Sequence, residues 1–462
     1  MVREERRMVL RRGPSILPKI RELSTRIQYL FQRFHRTYGY LNVERPFTSA
    51  ITDAFIEAGE QMGFEKVDYN SNNFMGFSKM QANMKRGRRH SVADAFLLPI
   101  EFRNNLRVLT GARVTKLLIN PNTKETYGVQ YDKRGKTFIA RAKMEVILSA
   151  GTFNSPQLLM LSGIGPSDDL KKLGIQPVVD LPVGQTMYDH LSFIGLTFKM
   201  NQTIEPKTAI MDPNELFKFL IKGEGIYTSL GGVEGLAYVK TNASKETENY
   251  PDIELILSGI GSLNSDYGIV SVPTLGISRE IYEKTYKAIE NTPTWGILPM
   301  LLHPKSKGYL KLRSKNPYDS PELYSNFFTD PEGHDLKTMI SAIRLTIELS
   351  KTKAFQRLGS TIHDIPLPGC ENFTFNTDAY WECALRLIAA TLHHQVGTCK
   401  MGRRDDPEAV VDNKGRVHGM KKLRVIDSSI FPVTLSAHTS APAMMLGEKL
   451  SDEIKKQYNK LS

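Results

Sequence analysis

The run Met144-Glu145-Val146-Ile147-Leu148-Ser149 breaks at Ala150-Gly151 and passes into a helical pattern over 155–162. An apolar run of this length reads as a strand buried within a sheet. Strand, glycine turn and helix in that order make the βα corner of a parallel sheet, where ligands bind at the carboxyl ends of the strands. The pattern returns near the C-terminus. A strand over 423–426 is followed by Asp427, an exposed loop, and a helix from Ser440 with Pro442 in its first turn. The predicted class is therefore α/β.

Between the corners the periodicity changes. Ile51, Phe55, Ala58 and Met62 fall on one face of a helix over 48–62 that stops at Gly63, and a second helix over 91–98 ends at Pro99. Alternation predicts strands at 106–109, 113–119, 127–131 and 137–142, with turns at Pro121-Asn122 and Lys133-Arg134-Gly135. At 462 residues the chain exceeds one ordinary core. The mixed stretch 192–385, with turns at Gly223-Glu224-Gly225 and Gly231-Gly232, reads as a second domain. The expected division is 1–36, an atypical basic segment; 37–191, the first domain; 192–385, the second; and 386–460, a return to the first.

Of the formal charge of +12, +7 lies in the first 36 residues, where ten Lys or Arg face three Glu. No basic stripe with interleaved aromatics follows, so nucleic acid is not expected as a partner. Lys85-Arg86-Gly87-Arg88-Arg89-His90 reads as a solvated loop. No apolar run reaches the length of a membrane span. The first residues lack the apolar stretch of a signal peptide, which leaves localisation open. Leu23, Ile27, Leu30, Phe31 and Phe34 predict an amphipathic helix over 21–36. Cys370, Cys383 and Cys399 show no CxxC spacing. A Cys370–Cys383 bridge, with sequons at Asn201, Asn242 and Asn372, would fit a secreted ancestor, which the N-terminus opposes.

His394, in His394-Gln395-Val396-Gly397-Thr398-Cys399, and His438 sit on Gly- and Ser-rich turns. Imidazole takes and returns a proton near neutral pH, so the pair points to proton handling. A metal site built on His393, His394 and Cys399 lacks further ligands at regular spacing, and no metal is predicted.

Several stretches together resemble one family. Gly151-Thr152-Phe153-Asn154-Ser155-Pro156-Gln157-Leu158 and on to Gly163-Ile164-Gly165-Pro166 is similar to the second signature of the glucose–methanol–choline (GMC) flavoprotein oxidoreductases. Val183-Gly184-Gln185-Thr186-Met187-Tyr188-Asp189-His190 resembles the segment that follows, with Thr186 and Met187 replacing the usual Asn-Leu. His394 to Cys399, Val411-Asp412 to Arg416-Val417, and Val425 to Pro432 resemble its C-terminal pieces, with likeness to the insect glucose dehydrogenase branch in Trp381-Glu382-Cys383. The resemblance runs from about Gly39 to about Ile454.

It implies an FAD-binding domain, a substrate domain with an antiparallel sheet, and oxidation of a sugar or other alcohol. Hydride would pass to flavin N5, then electrons to quinone or another acceptor. By match, His394 takes the hydroxyl proton and His438 orients the hydroxyl. His393 stands where the family more often has Tyr. The implied cofactor contacts are Val114 at the adenine, Ala150 and Gly151 at the βα corner, Asp427 and Ser428 at the ribityl or pyrophosphate, and His438 and Thr439 at the flavin.

The Gly-x-Gly-x-x-Gly phosphate fingerprint and the first family signature have no match. The Gly-x-Gly pairs at 163/165, 223/225 and 259/261 are followed at the sixth position by Asp168, Thr228 and Asn264. The FAD-binding, Rossmann-like domain is therefore expected to be incomplete, with the apolar face at 144–148 poorly covered. Three readings follow: an FAD-dependent oxidoreductase, a truncated and catalytically inactive member unable to hold FAD, or a basic binding protein using residues 1–36.

Overall fold

The computed structural model describes residues 21–23, 34–35, 38–202, 211–245, 250–259, 276–290 and 292–459. It separates into two compact units, Met1–Ile100 with Leu191–Leu302 and Pro331–Leu392, and Glu101–His190 with His303–Asp330 and His393–Ser462.

The first unit is built on an antiparallel sheet. Its strands run in the order Thr361–Ile362, Thr197–Lys199, Thr294–Leu301, Ile253–Ser258, Val233–Val239 and Gly76–Lys79, with Leu191–Phe193 joining Thr294–Leu301 to Ala389–Thr391. Ile253–Ser258 is buried at every position, polar Glu254 and Ser258 included, so both faces of this strand are covered. The helices Ala50–Gln61 and His334–Ser350 pack against it. Glu234 joins the first helix to the sheet: its carboxylate accepts the Ser49 N–H (2.6 Å), the Ser49 hydroxyl (2.6 Å) and the Thr52 hydroxyl (2.7 Å) at the helix N-terminus. Leu236, Tyr238, Ile256, Met300 and Leu302 form a buried cluster, packed by Tyr69, Phe74 and Leu392.

Trp295 lies fully buried between Phe198 and Phe355, stacked at 4.3 and 3.9 Å between ring centroids, and its Nε1–H donates to Ser360 Oγ at 3.0 Å. Ring area and a satisfied indole N–H together make it an anchor of this unit. Cys370 and Cys383 form a disulfide that ties the loop before the helix Asp378–Ile388 to the helix itself.

The second unit contains the predicted βα corner. A meander of Ala112–Asn120, Glu125–Lys133 and Lys136–Arg141 precedes it. Val146–Leu148 pairs in parallel with Leu423–Val425, so the two sequence corners share one ladder. Buried Arg424 pins that ladder: Nε donates to Glu145 at 2.7 Å, and its other nitrogens donate to the Lys414 carbonyl (2.7 Å) and Gln457 (2.6 Å). Gln457 ends the helix Ser440–Gln457, so one guanidinium holds strand pair, loop and helix.

Several expectations change. Residues 106–109 form no strand; Val108 and Leu109 are exposed, and no neighbouring backbone among the described residues pairs with them. The corner strand is shorter than expected, and Met144 and Ile147 stand 47% and 44% exposed because its ladder has one partner strand among the described residues. The following helix starts at Gly151, before the expected 155. Arg21–Leu23 pairs in parallel with Leu41–Val43 instead of opening a helix, and most of the helix expected over 21–36 lies outside the described residues. The large antiparallel sheet and the mixed helix–sheet class agree with the sequence reading.

Trp295→Ala is expected to cost about 3–5 kcal/mol of stability, read by urea unfolding monitored by circular dichroism. A loss under about 1 kcal/mol would contradict the anchor role.

Candidate active site

Every site residue expected from the sequence lies in the second unit. Its local order begins at Asp427. One carboxylate oxygen accepts the Gly151 N–H (2.9 Å) and the Ser155 hydroxyl (2.5 Å), and the other accepts the Ser429 N–H (2.8 Å). The residue before the helix is Ala150, which has no capping oxygen, so Asp427 supplies the cap from across the ladder and lets the helix begin at Gly151 (φ 85°). Pro156 removes the amide that would bond the Thr152 carbonyl. That carbonyl instead accepts the Thr398 hydroxyl at 2.6 Å.

The turn beginning at Asp427 sets the path of the histidine segment. Gly397 N–H donates to the Ser428 carbonyl (3.4 Å), Cys399 N–H to Ser429 (2.8 Å) and Met401 N–H to Ile430 (2.9 Å). The Thr152 hydroxyl donates to the Gln395 carbonyl at 2.8 Å and lies 2.8 Å from the Ser428 hydroxyl. On the other side, Val396 and Tyr188 exchange backbone hydrogen bonds at 2.9 and 3.0 Å. The adjoining Asp189 carboxylate accepts the His394 N–H (3.1 Å) and the Gln395 side-chain amide (2.9 Å). His393 takes a left-handed backbone (φ 59°), which turns the chain into this bracket.

The result is a cluster of three imidazoles, in which His394 meets both of the others. Buried His190 and His394 face each other through their Nδ1 atoms at 3.1 Å, so one donates and the other accepts. The bond occupies Nδ1 of His394 and leaves Nε2 as its other ring nitrogen. Exposed His438 packs edge-on against His394 at 4.7 Å between centroids. Burial, reinforced by the neighbouring His438 and His393, pushes His394 down to about 3. His394 is therefore a neutral imidazole at physiological pH, the state a proton acceptor needs. Cys399 is fully buried and burial pushes its thiol up, which leaves it a core side chain.

Val114 and Ala150 both line a cavity of about 550 Å³, with Ala112, Ala142, Ile147 and Asn154. Gly151, Asp427 and Ser428 lie together at the capped helix start, and Thr439 precedes the helix Ser440–Gln457 without a side-chain cap. His394 and His438 meet as ring neighbours, while Val114 and Ala150 sit apart from them on the cavity wall. The carboxylate of Asp427 is engaged by three protein donors. Sequence reasoning passed over His190, Asp189 and Thr152. Asp189 and His190 close the family-like stretch 183–190, but only the pairing of Tyr188 with Val396 reveals that His190 faces His394.

Residues 22–192 and 304–447 match the N- and C-terminal family models described as GMC oxidoreductase. The glucose dehydrogenase [FAD, quinone] of Drosophila pseudoobscura pseudoobscura is 37% identical over 90% of this chain, and the chain spans 64% of that relative's length. The oxygen-dependent choline dehydrogenase of Sinorhizobium fredii is 36% identical over 90% of this chain and 71% of its own. The fold is shared with pyridoxine 4-oxidase from Mesorbium loti, at 24% identity and a TM-score of 0.78 over 98% of this chain and 78% of that one.

Depression of His394 gives a signed prediction. Between the ordinary value of 6.5 and about 3, the unfolded chain holds a proton at this residue that the folded chain does not. Its contribution to stability is complete above 6.5 and is lost as pH falls towards 3. His394→Asn should flatten that part of the stability–pH curve in urea titrations. An unchanged slope would contradict the buried neutral imidazole.

Proposed function

Because the chain belongs to the GMC oxidoreductase family, we propose that it oxidises a CH–OH donor, a sugar or another alcohol, to the carbonyl with FAD as cofactor. The observation that carries this reading is the neutral, buried His394 held by His190 and flanked by exposed His438. Hydride leaves carbon readily only as the adjoining oxygen gains alkoxide character, so a base must take the hydroxyl proton. His394 is that base, acting through Nε2, since Nδ1 is engaged by His190. His438 orients the hydroxyl. The O–H proton goes to the imidazole, the C–H electron pair leaves with hydrogen as hydride, and the C=O bond forms. Bound FAD would supply the hydride acceptor.

The residues present fit that cofactor at two places, although the Gly-x-Gly-x-x-Gly phosphate fingerprint has no match in the sequence. The helix Ser440–Gln457 begins without a side-chain cap directly after His438 and Thr439, so its positive end suits an electron-rich ring edge. The cavity beside Val114 and Ala150 has alanine and valine walls suited to a flat base. Gly151, Asp427 and Ser428 would lie along the path between them, with Asp427 shaping the backbone rather than offering a free carboxylate.

Burial also limits how long His394 keeps its proton. The imidazolium formed at His394 is held against a desolvation cost, which favours return of the proton. The fly relative is named for glucose and quinone, and the bacterial one for choline and oxygen. Glucose and simple primary alcohols, with a quinone acceptor, are the first pairs to assay.

The chain purified with added FAD is expected to carry flavin absorbance and to reduce a quinone or dye in a donor-dependent way. His394→Ala should lower kcat about 100- to 10,000-fold with flavin content and circular dichroism unchanged. Equal turnover in the variant would remove His394 from the role of base, and a colourless protein would remove the cofactor assignment.

A further inference from the structure

The helix Pro213–Lys222 is encoded entirely by its own residues. Asp212 caps it by accepting the Asn214 N–H at 2.9 Å, Pro213 opens it, and Gly223 closes it in the left-handed conformation (φ 68°). A helix with both ends fixed should turn its apolar face inward. This one turns it outward. Phe217, Leu220 and Ile221 are 63%, 60% and 67% exposed, Leu216 is exposed beside them, and exposed Met211 precedes the helix. At helical spacing Leu216, Phe217, Leu220 and Ile221 share an arc of about 140°.

The opposite face is the one that packs. Phe219 meets Tyr227 at 5.8 Å between rings, and the Arg88 guanidinium lies 5.8 Å over Phe219. Arg88 belongs to the hairpin of Met84–Lys85 and Arg88–Arg89, whose turn abuts the helix end: a Cβ on Gly223 would come within 2.3 Å of the Arg86 backbone. Glycine at 223 is required both by its φ and by this approach. Glu44 fixes the hairpin tip by accepting the Arg86 and Gly87 N–H groups at 2.8 and 3.1 Å. Exposed Lys85, Arg86, Arg88 and Arg89 are thereby held at the Phe219 flank and the Gly223 end of the helix. Of the nearby acids, Glu215 pairs with Lys218, Asp212 caps the helix and Glu44 holds the tip, while exposed Glu224 follows Gly223 and offsets one of the hairpin cations.

We propose that this helix and hairpin form a docking site for an anionic lipid surface. Leucine, phenylalanine and isoleucine side chains would enter the boundary between headgroups and acyl chains, while the hairpin cations meet lipid phosphates and carboxylates. Exposed apolar bulk on a short helix with a cationic rim is the combination that holds a protein on a charged bilayer. A second copy fits less well, because a two-fold contact through this face opposes two identical basic rims. The proposal is independent of the active-site reading.

The test uses the full chain in co-sedimentation with vesicles of phosphatidylcholine alone or with about one third phosphatidylserine. The expected result is binding to the anionic vesicles at low salt, weakened about tenfold or more by Phe217→Ser with Leu220→Ser and Ile221→Ser. Lys85→Glu with Arg89→Glu, which leaves the helix untouched, should weaken it comparably. Both variants alter exposed side chains and should keep the unfolding midpoint of the parent. No binding by the parent chain overturns the proposal, as does undiminished binding by the apolar triple variant. Self-association in the ultracentrifuge that the triple variant abolishes, without vesicle binding, assigns the face to a second copy and also overturns it.

Discussion

The carboxylate of Asp427 is the constraint on which the geometry of the candidate site depends. Through Gly151, Ser155 and Ser429 it fixes the start of one helix and the turn after one strand. The carbonyls of that turn then receive the amides of Gly397, Cys399 and Met401. The backbone that carries His394 is thus located by a residue thirty-three positions away that touches neither imidazole in this arrangement. Three donors to one carboxylate make a well-satisfied hub whose loss leaves several buried groups without partners.

Asp189 completes the bracket from the opposite side, and the two carboxylates act differently. Asp427 shapes the turns, while Asp189 grips His394 and Gln395 directly. Burial is what keeps the His394 ring neutral, with Nδ1 facing His190. A carboxylate on Nδ1 would stabilise the imidazolium. A burial-depressed imidazole therefore suits a catalytic role in which the proton is held only transiently.

Much of this was legible in the chain. The break at Ala150-Gly151 marked the corner, the alternation over 113–142 marked the meander, and the family-like C-terminal stretches marked His394 and His438. What stayed hidden depends on register or on partners. Residues 106–109 alternate as a strand does, yet alternation cannot supply a neighbouring ladder. The helix start at Gly151 needed a cap from Asp427, far away in sequence. His190 became a site residue only once Tyr188 paired with Val396. Periodicity likewise shows that 213–222 is amphipathic without saying that its apolar side faces outward.

Whether the remote carboxylate of Asp427 fixes the histidine segment is decided by hydrogen–deuterium exchange on Asp427→Asn beside the parent chain. Faster exchange is expected at Gly151, Gly397, Cys399 and Met401, with the amides of Ile253–Ser258 in the other unit unchanged. Unaltered protection across the 396–401 segment in the variant would contradict that role for Asp427.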